Sequence, residues 1–357
     1  MRGGEKCLEA LCELYPDAPI YTLFCDRSKI SGPIPEHPIH ASWLSRLPNF
    51  LKNYRNYLPL FPLAVRSLNA KKHAVLISTS HCTAKGVKKG VHALHICYCF
   101  TPMRYAWGFF DEYFGQRAGA QKVLIGGVLA GLRHWDLQAN KNVDHFVAIS
   151  EHVKRRIRDC YRREAEVIYP PVDTEFYTTD SSVPREDYYL IASALVPYKR
   201  ADMAIEAFTR LGKRLVIIGE GPERDWLEKI AGTRVHFLGW QTDEILRDHY
   251  RRARALIFPG EEDFGIVPLE MQACGGSVIA YGEGGALETV RDGKTGVFFK
   301  KPTVESLMLA VQDFEKLRPD PVAARENALK FSRERFKREM KQMIDRERQK
   351  KESDVKP

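Results

Sequence analysis

No apolar run in the 357 residues approaches the roughly 20 needed to span a bilayer, so no membrane-crossing helix is expected. No cleavable leader is visible either, because the N-terminal stretch MRGGEKCLEALCELYPD is charged and amphipathic. The eight cysteines form no C-x-x-C pair. Cys97 and Cys99 stand two apart in an apolar run, and the set reads as reduced core thiols of a cytoplasmic protein. GEGPERDWLEKI (219–230) and GEGGALETV (282–290) open helices but do not fit G-x-G-x-x-G in a first βα unit with a partner acid, so a dinucleotide fingerprint is not supported. The triplet Asp263-Phe264-Gly265 lacks the V-A-I-K and H-R-D elements of a kinase. There is no low-complexity segment and no nucleic-acid-binding motif.

What is present is a chain long enough for two domains, 44% hydrophobic and 28% charged, with a net charge of +9. The charge is uneven: residues 1–150 hold 18 Lys and Arg against 10 Asp and Glu, whereas residues 151–357 hold 37 against 36. The chemistry of the second half must therefore lie in local motifs. Short continuous apolar runs alternate with helical periodicity. Candidate strands cover 20–24, 74–78, 93–98 and 145–149, then 189–192, 214–218, 235–238, 255–258 and 278–281. The double proline of VIYPPVDTEFY (167–177) reads as a stiff connection between the two series. Runs of this kind indicate parallel sheets covered on both faces. The expected fold is thus α/β: two Rossmann-like, doubly wound domains, 1–168 and 169–330, with an interdomain cleft. A helix over 331–349 is expected to pack back towards the N-terminal domain, followed by an unstructured tail over 350–357.

Parallel sheets bind ligands at the carboxyl ends of their strands, which directs attention to two loops. EEDFGIVPLE (261–270) follows the apolar run ending at Phe258 and enters a helix, with Pro268 in its first turn and Gly275 at its end. Free N–H groups there make an anion site. Glu262 lies before those groups and Glu270 is expected in the first turn among them, and both suit sugar hydroxyls; the alternative is an acidic first turn that caps the helix. SALVPYKRADMAIEAF (193–208) is the first strand-to-helix junction of the second series. Lys199 and Arg200 stand where cations oppose the helix dipole, an arrangement a diphosphate would relieve; the alternative is solvated surface charge. GEGPE is a tight loop, either near a nucleotide base or an ordinary turn.

The order of ISEHVKRRIRDCYRREAEVIYPPVDTEFY, SALVPYKRADMAIEAF, GEGPE, FLGW, FPGEEDFGIVPLEMQACGG and GEGGALETV resembles the retaining glycosyltransferases of family 4, which have the GT-B fold. RGGEK (2–6), SHCTAKGV (80–87) and TPMRYAW (101–107) extend the likeness to the branch that includes O-antigen mannosyltransferases. The resemblance implies a hexosyltransferase that takes a nucleotide diphosphate sugar, with GDP-mannose favoured, and serves cell-surface polysaccharide synthesis. It implies that Glu262 contacts the transferred sugar, Glu270 the ribose, and Lys199 the diphosphate. The N–H groups of Phe264, Gly265, Ile266 and Val267 would meet sugar and phosphate, and Gly3 and Gly4 would form the acceptor-side loop. Ala194 stands where many relatives have Arg, which gives Arg200 a share of the phosphate, and Phe100 stands where relatives have His. The chain has no D-x-D triplet, so a bound divalent metal is not required, and no cofactor besides the donor substrate is expected. A GT-B epimerase and a noncatalytic nucleotide-sugar-binding scaffold are the alternatives.

The acceptor side reads as a saccharide or lipid-linked saccharide. Residues 41–68 mix Trp43, Phe50, Tyr54, Tyr57 and Phe61 with Arg46, Lys52, Arg55 and Arg66. They read either as helices packed on the first domain or as a peripheral contact with an anionic membrane on its cytoplasmic face. His81, His95 and His145 read as core or loop residues. Because a Rossmann-like domain enters its first glycine loop from a strand, roughly ten or more residues are expected upstream of Met1.

Overall fold

The computed structural model describes residues 3–48, 50, 54–108 and 119–355. The chain divides into two compact units. One holds residues 1–171 together with 336–357, the other residues 172–335.

The second unit is built on one six-stranded parallel sheet. Its strands are β7 (Tyr189–Ala192), β8 (Leu215–Ile218), β9 (Val235–Gly239), β10 (Ala255–Phe258), β11 (Val278–Tyr281) and β12 (Gly296–Phe299), in the order β12-β11-β10-β7-β8-β9. Each strand is short and apolar because both of its faces are covered. Tyr189, Ile191, Ala255 and Ile257 enter one core with Phe208 and Phe314. Leu190, Ala192, Leu256 and Phe258, offset by one residue, enter the other with Tyr250 and Met271. This is the period-two alternation of a pleated strand with no solvated side. The chain runs outward from β7 through β8 to β9, then returns to place β10 on the other side of β7. That reversal is the topological switch point at which such sheets take their ligands.

The first unit carries its strands in two groups. β1 (Ile20–Thr22) pairs with β2 (Ile39–Ala41). β3 (Val75–Ser80), β4 (Leu94–Cys99), β5 (His145–Ala148) and β6 (Glu166–Val167) form a separate parallel sheet in that order. β4 is buried throughout, whereas β1 and most of β3 are half-buried. Tyr21 of β1, Leu23 just beyond it and Leu76 of β3 pack on the same small core around Val65, Leu68 and Val87.

Two expectations are corrected here. Gly3 and Gly4 are not a loop: they open the helix Gly3–Leu14. The first N–H groups of a helix have no partner within it, so such a turn resembles a loop in its hydrogen bonding and glycines can stand there. Arg2, part of the same motif, lies outside the described residues. The tail expected over 350–357 is helical as far as Val355, as the end of the helix Arg333–Val355. Arg348 pairs with Glu352 at 2.8 Å and Lys350 with Glu347 at 2.8 Å, while Lys351 reaches Asp144 at 3.0 Å and the carbonyl of Ala93 at 2.8 Å. These pairs, one turn apart or made to the residues just before β4 and β5, hold a segment whose composition alone reads as unstructured.

In the segment 41–68, Leu44, Phe50 and Phe61 are buried in a cluster with Phe24, Tyr54 and Tyr57, while Trp43 and Leu63 are exposed. Lys52 lies outside the described residues. No helix among the described residues is long and apolar enough to cross a membrane.

Candidate functional site

The site candidates of the second unit collect around the switch point. After β7 the chain makes a single 3-10 turn, Pro197–Lys199, and Arg200 takes the left-handed conformation (φ 54°, ψ 38°) before the helix Ala201–Leu211. After β10 come Gly260 and the acidic loop. A Cβ at Gly260 would stand 2.4 Å from the carbonyl oxygen of Tyr198 and 2.9 Å from Cα of Lys199. The absence of a side chain there lets the two loops lie against one another. Across that contact the ammonium of Lys199 pairs with a carboxylate oxygen of Glu262. The two side chains are 16% and 19% exposed, so the pair is shielded yet open to a competing ligand.

The backbone around Glu262 is fixed from the other side. Glu262 forms a parallel bridge with Gly284, and its carbonyl accepts the N–H of Gly285 at 2.7 Å. GEGG therefore braces the acidic loop, a role its sequence leaves open. Gly265 follows with φ 104°, a value that favours glycine, and caps the helix Ile266–Ala273. Phe264 is buried against the ring of Phe331 at 5.8 Å, and Ile266 and Val267 are half-buried.

Glu270 lies one residue beyond the first turn of that helix, and the first turn contains no acid. The capping alternative is therefore not what the helix shows. Instead one carboxylate oxygen of Glu270 accepts the hydroxyl of Tyr250 at 3.0 Å. Burial, and then the charge of Glu270, push the Tyr250 phenol well above its ordinary pKa, so it donates as a neutral group. Two residues on, buried Gln272 donates to the carbonyls of Pro268 (3.1 Å) and Thr289 (2.9 Å) and accepts from Asn327 (2.8 Å). The helix that carries Glu270 is thereby tied to two others.

Arg200 differs from its expected setting. Its guanidinium is compensated within the chain by Asp202 at 3.1 Å. Glu223 stands nearby, its carboxyl pushed up first by burial and then by Asp202, with Arg200 pulling it down. Arg200 thus meets the helix dipole with a local acid in place of a visiting anion.

Gly3 and Gly4 belong to the first unit. A Cβ on Gly4 would stand 3.3 Å from the ring of Phe100, so the glycine motif and Phe100 are neighbours. The first unit also contains a network that sequence reasoning missed. Lys85 reaches Asp136 at 2.5 Å and the Tyr161 hydroxyl at 2.8 Å; Tyr161 and the indole N–H of Trp107 both donate to Asp136 at 2.8 Å. Lys85 and Asp136 are fully buried. His95 is buried between Ser78 (2.8 Å) and the carbonyl of Asn142 (2.9 Å), and burial depresses its pKa to about 4.

Residues 177–331 match the family model of glycosyl transferases group 1. A GDP-mannose-dependent alpha-(1-6)-phosphatidylinositol monomannoside mannosyltransferase of Mycolicibacterium smegmatis is 31% identical over 236 residues, which cover 56% of this chain and 62% of that protein. An uncharacterized glycosyltransferase of Methanocaldococcus jannaschii is 26% identical over 223 residues, 60% of this chain and 62% of that protein. The chain thus spans less than two thirds of the length of these curated relatives. Sucrose-phosphate synthase from Thermosynechococcus elongatus superposes with a TM-score of 0.72 at 18% identity, over 96% of this chain and 91% of that one. Anabaena HepE, solved with UDP and glucose, gives 0.68 at 18% identity over 96% of both chains. The architecture is the GT-B type: α/β, with a parallel sheet in each of two Rossmann-like units.

Proposed function

We propose that this chain is a retaining, metal-independent glycosyltransferase. It moves a hexosyl group, mannose favoured, from a nucleotide diphosphate sugar to a saccharide or lipid-linked saccharide acceptor. The observation that carries this reading is the Lys199–Glu262 pair at the β7–β10 switch point, beside the amino end of the helix Ile266–Ala273. Support also comes from the group 1 match over 177–331 and from relatives named as mannosyltransferases.

The bond to break joins the anomeric carbon to a diphosphate oxygen, and negative charge grows on the leaving group. Positioned cations and N–H dipoles are what such a step needs. When donor binds, Lys199 exchanges a carboxylate partner for the diphosphate, and Glu262, released, turns to the sugar hydroxyls. Arg200 adds a second cation once Asp202 shares it. The N–H groups of Phe264, Gly265, Ile266 and Val267 meet sugar and phosphate, and Glu270 accepts from the ribose. Attack comes from the face the leaving group departs, and the leaving phosphate takes the acceptor proton. No protein nucleophile is used, and Glu262 supports the developing charge on the sugar. Gly3 and Gly4 serve the acceptor-side unit. No cofactor enters. A peripheral contact with the cytoplasmic face of an anionic membrane is part of this proposal, and the exposed Trp43 and Leu63, near Arg46 and Arg66 in sequence, support it.

Glu270→Gln tests the assignment, since it replaces a strong acceptor of ribose hydroxyls by a weaker one. A loss of about 1–3 kcal/mol in donor affinity is expected by calorimetry with GDP-mannose. Transfer by the wild-type chain is expected to survive excess chelator. Undiminished donor affinity in the variant, activity abolished by chelator and restored by magnesium, or release of an epimerised sugar nucleotide without acceptor would each overturn the reading.

A further inference from the structure

Glu270 sits on a helix face, half-buried, and a glutamate there has several rotamers to lose when a ligand arrives. The chain removes that freedom in advance. Tyr250, near the end of the helix Asp243–Arg252, is fully buried, and its hydroxyl donates to one oxygen of the Glu270 carboxylate at 3.0 Å. Tyr250 is itself pinned. Its ring packs against that of Tyr177, with centroids 5.7 Å apart. Its backbone carbonyl accepts the Arg185 guanidinium at 2.8 Å, and Arg185 also binds the carbonyl of Ala253 at 2.6 Å.

From this geometry, and resting on the nucleotide-sugar reading above, we infer that Tyr250 is a positioning residue that fixes the Glu270 carboxylate for recognition of the ribose. The hydroxyl engages Oε2 and sets the plane of the carboxylate, so that ribose hydroxyls meet an acceptor already oriented. Tyr250 touches no substrate and acts through Glu270. Its burial keeps the phenol protonated, which makes it a donor throughout the working pH range. A neutral donor also leaves the negative charge on Glu270, where two sugar hydroxyls can share it.

The experiment measures ribose discrimination by calorimetry. GDP and UDP are each compared with the 2′,3′-dideoxy counterpart, and the affinity ratio is read for wild type, Tyr250→Phe, Glu270→Gln and the double variant. Wild type is expected to prefer the ribonucleotide at least tenfold. Glu270→Gln should bring the ratio close to one, and Tyr250→Phe should lower it three- to tenfold. The double variant should match Glu270→Gln, because the tyrosine has nothing left to orient. Pyrophosphate affinity should be unchanged in Tyr250→Phe, a readout that a merely structural defect would move. A wild-type ratio in Tyr250→Phe with a collapsed ratio in Glu270→Gln overturns this inference and leaves the proposed function standing. A wild-type ratio in Glu270→Gln overturns the ribose assignment itself. If Tyr250→Phe fails to fold, 3-fluorotyrosine at position 250 keeps the packing and changes the donor strength. A ratio shifted at least twofold then supports the inference, and an unchanged ratio overturns it.

Discussion

Each unit holds a lysine–carboxylate pair, and the two are built to opposite ends: Lys85, in the turn after β3, meets Asp136 on the helix Ala120–Ala139, whereas Lys199 and Glu262 join the loops after β7 and β10. In the first unit Lys85 and Asp136 have side chains 3% and 0% exposed, and Tyr161 and Trp107 complete the hydrogen bonds of the carboxylate. In the second unit Lys199 and Glu262 are 16% and 19% exposed. A sealed pair with its neighbours satisfied is costly to break and offers a ligand nothing. An accessible pair offers a cation and an anion that a polyanionic, hydroxyl-rich ligand can take separately. The same pairing of ammonium and carboxylate therefore suits cohesion where it is sealed and, on the proposed function, exchange where it is accessible.

The sharpest way to break that comparison is to remove one partner from each pair. Asp136→Ala leaves a buried ammonium uncompensated and should cost about 3–5 kcal/mol of stability, read as an earlier urea midpoint. Lys199→Ala should cost about 1 kcal/mol or less, while slowing the proposed glycosyl transfer by about 10²–10³-fold through loss of charge stabilisation. If Lys199→Ala destabilised as much as Asp136→Ala and transfer fell only in proportion to folded protein, the contrast would collapse.

Much of this was legible before any coordinates, and the parts that were not have physical reasons. β7, β10 and β11 occupy the residues expected of them, since 189–192, 255–258 and 278–281 are four-residue apolar runs ended by Ser193, Pro259 and Gly282. β12, Gly296-Val297-Phe298-Phe299, was missed because it starts on a glycine straight after a turn and reads as loop. The loops carrying Lys199 and Glu262 were legible as loops after strands, and the structure brings those two side chains together. What no local pattern showed was their partner chemistry. Arg200 finds Asp202 two residues away because its left-handed backbone redirects it. Tyr250 stands with Ile245 and Leu246 among the few apolar positions of a charged helix, DEILRDHYRR, and nothing nearby announces that its hydroxyl ends on Glu270. Lys85 and Asp136 are 51 residues apart, a separation across which spacing carries no signal.

A second test sharpens the picture of the first unit's interior through pH. His95 has a folded-state pKa of about 4, against 6.5 for an ordinary histidine, because burial disfavours its charged form. Between those values the unfolded chain binds the proton and the folded chain does not, so stability rises with pH. The contribution is fully present above about pH 6.5 and is lost as pH falls towards 4, reaching about 3 kcal/mol. Urea titrations of wild type and His95→Gln between pH 7 and 4 check this. Wild type should lose more stability than the variant across that window, and parallel curves would show that His95 titrates normally.

The smallest expected effect concerns the sheets themselves. Among the described residues β3 pairs with β4 alone, and Val75, Leu76 and Ile77 are half-buried. β7 is paired on both sides, by β10 and β8, and is buried along its length. A strand hydrogen-bonded on one side, with part of its surface wet, opens with less disruption than one locked between two neighbours. Native-state hydrogen exchange should therefore show the amides of Val75–Ser80 opening well below the free energy of global unfolding, while those of Tyr189–Ala192 exchange close to it. The amides of β4, buried throughout and paired with β3 and β5, serve as the internal control and should behave like those of β7. If β3 proved as protected as β7, its open edge would have to be covered in solution, and the difference between the two sheets would vanish. If β4 exchanged as fast as β3, the weakness would belong to the whole first unit and not to its edge.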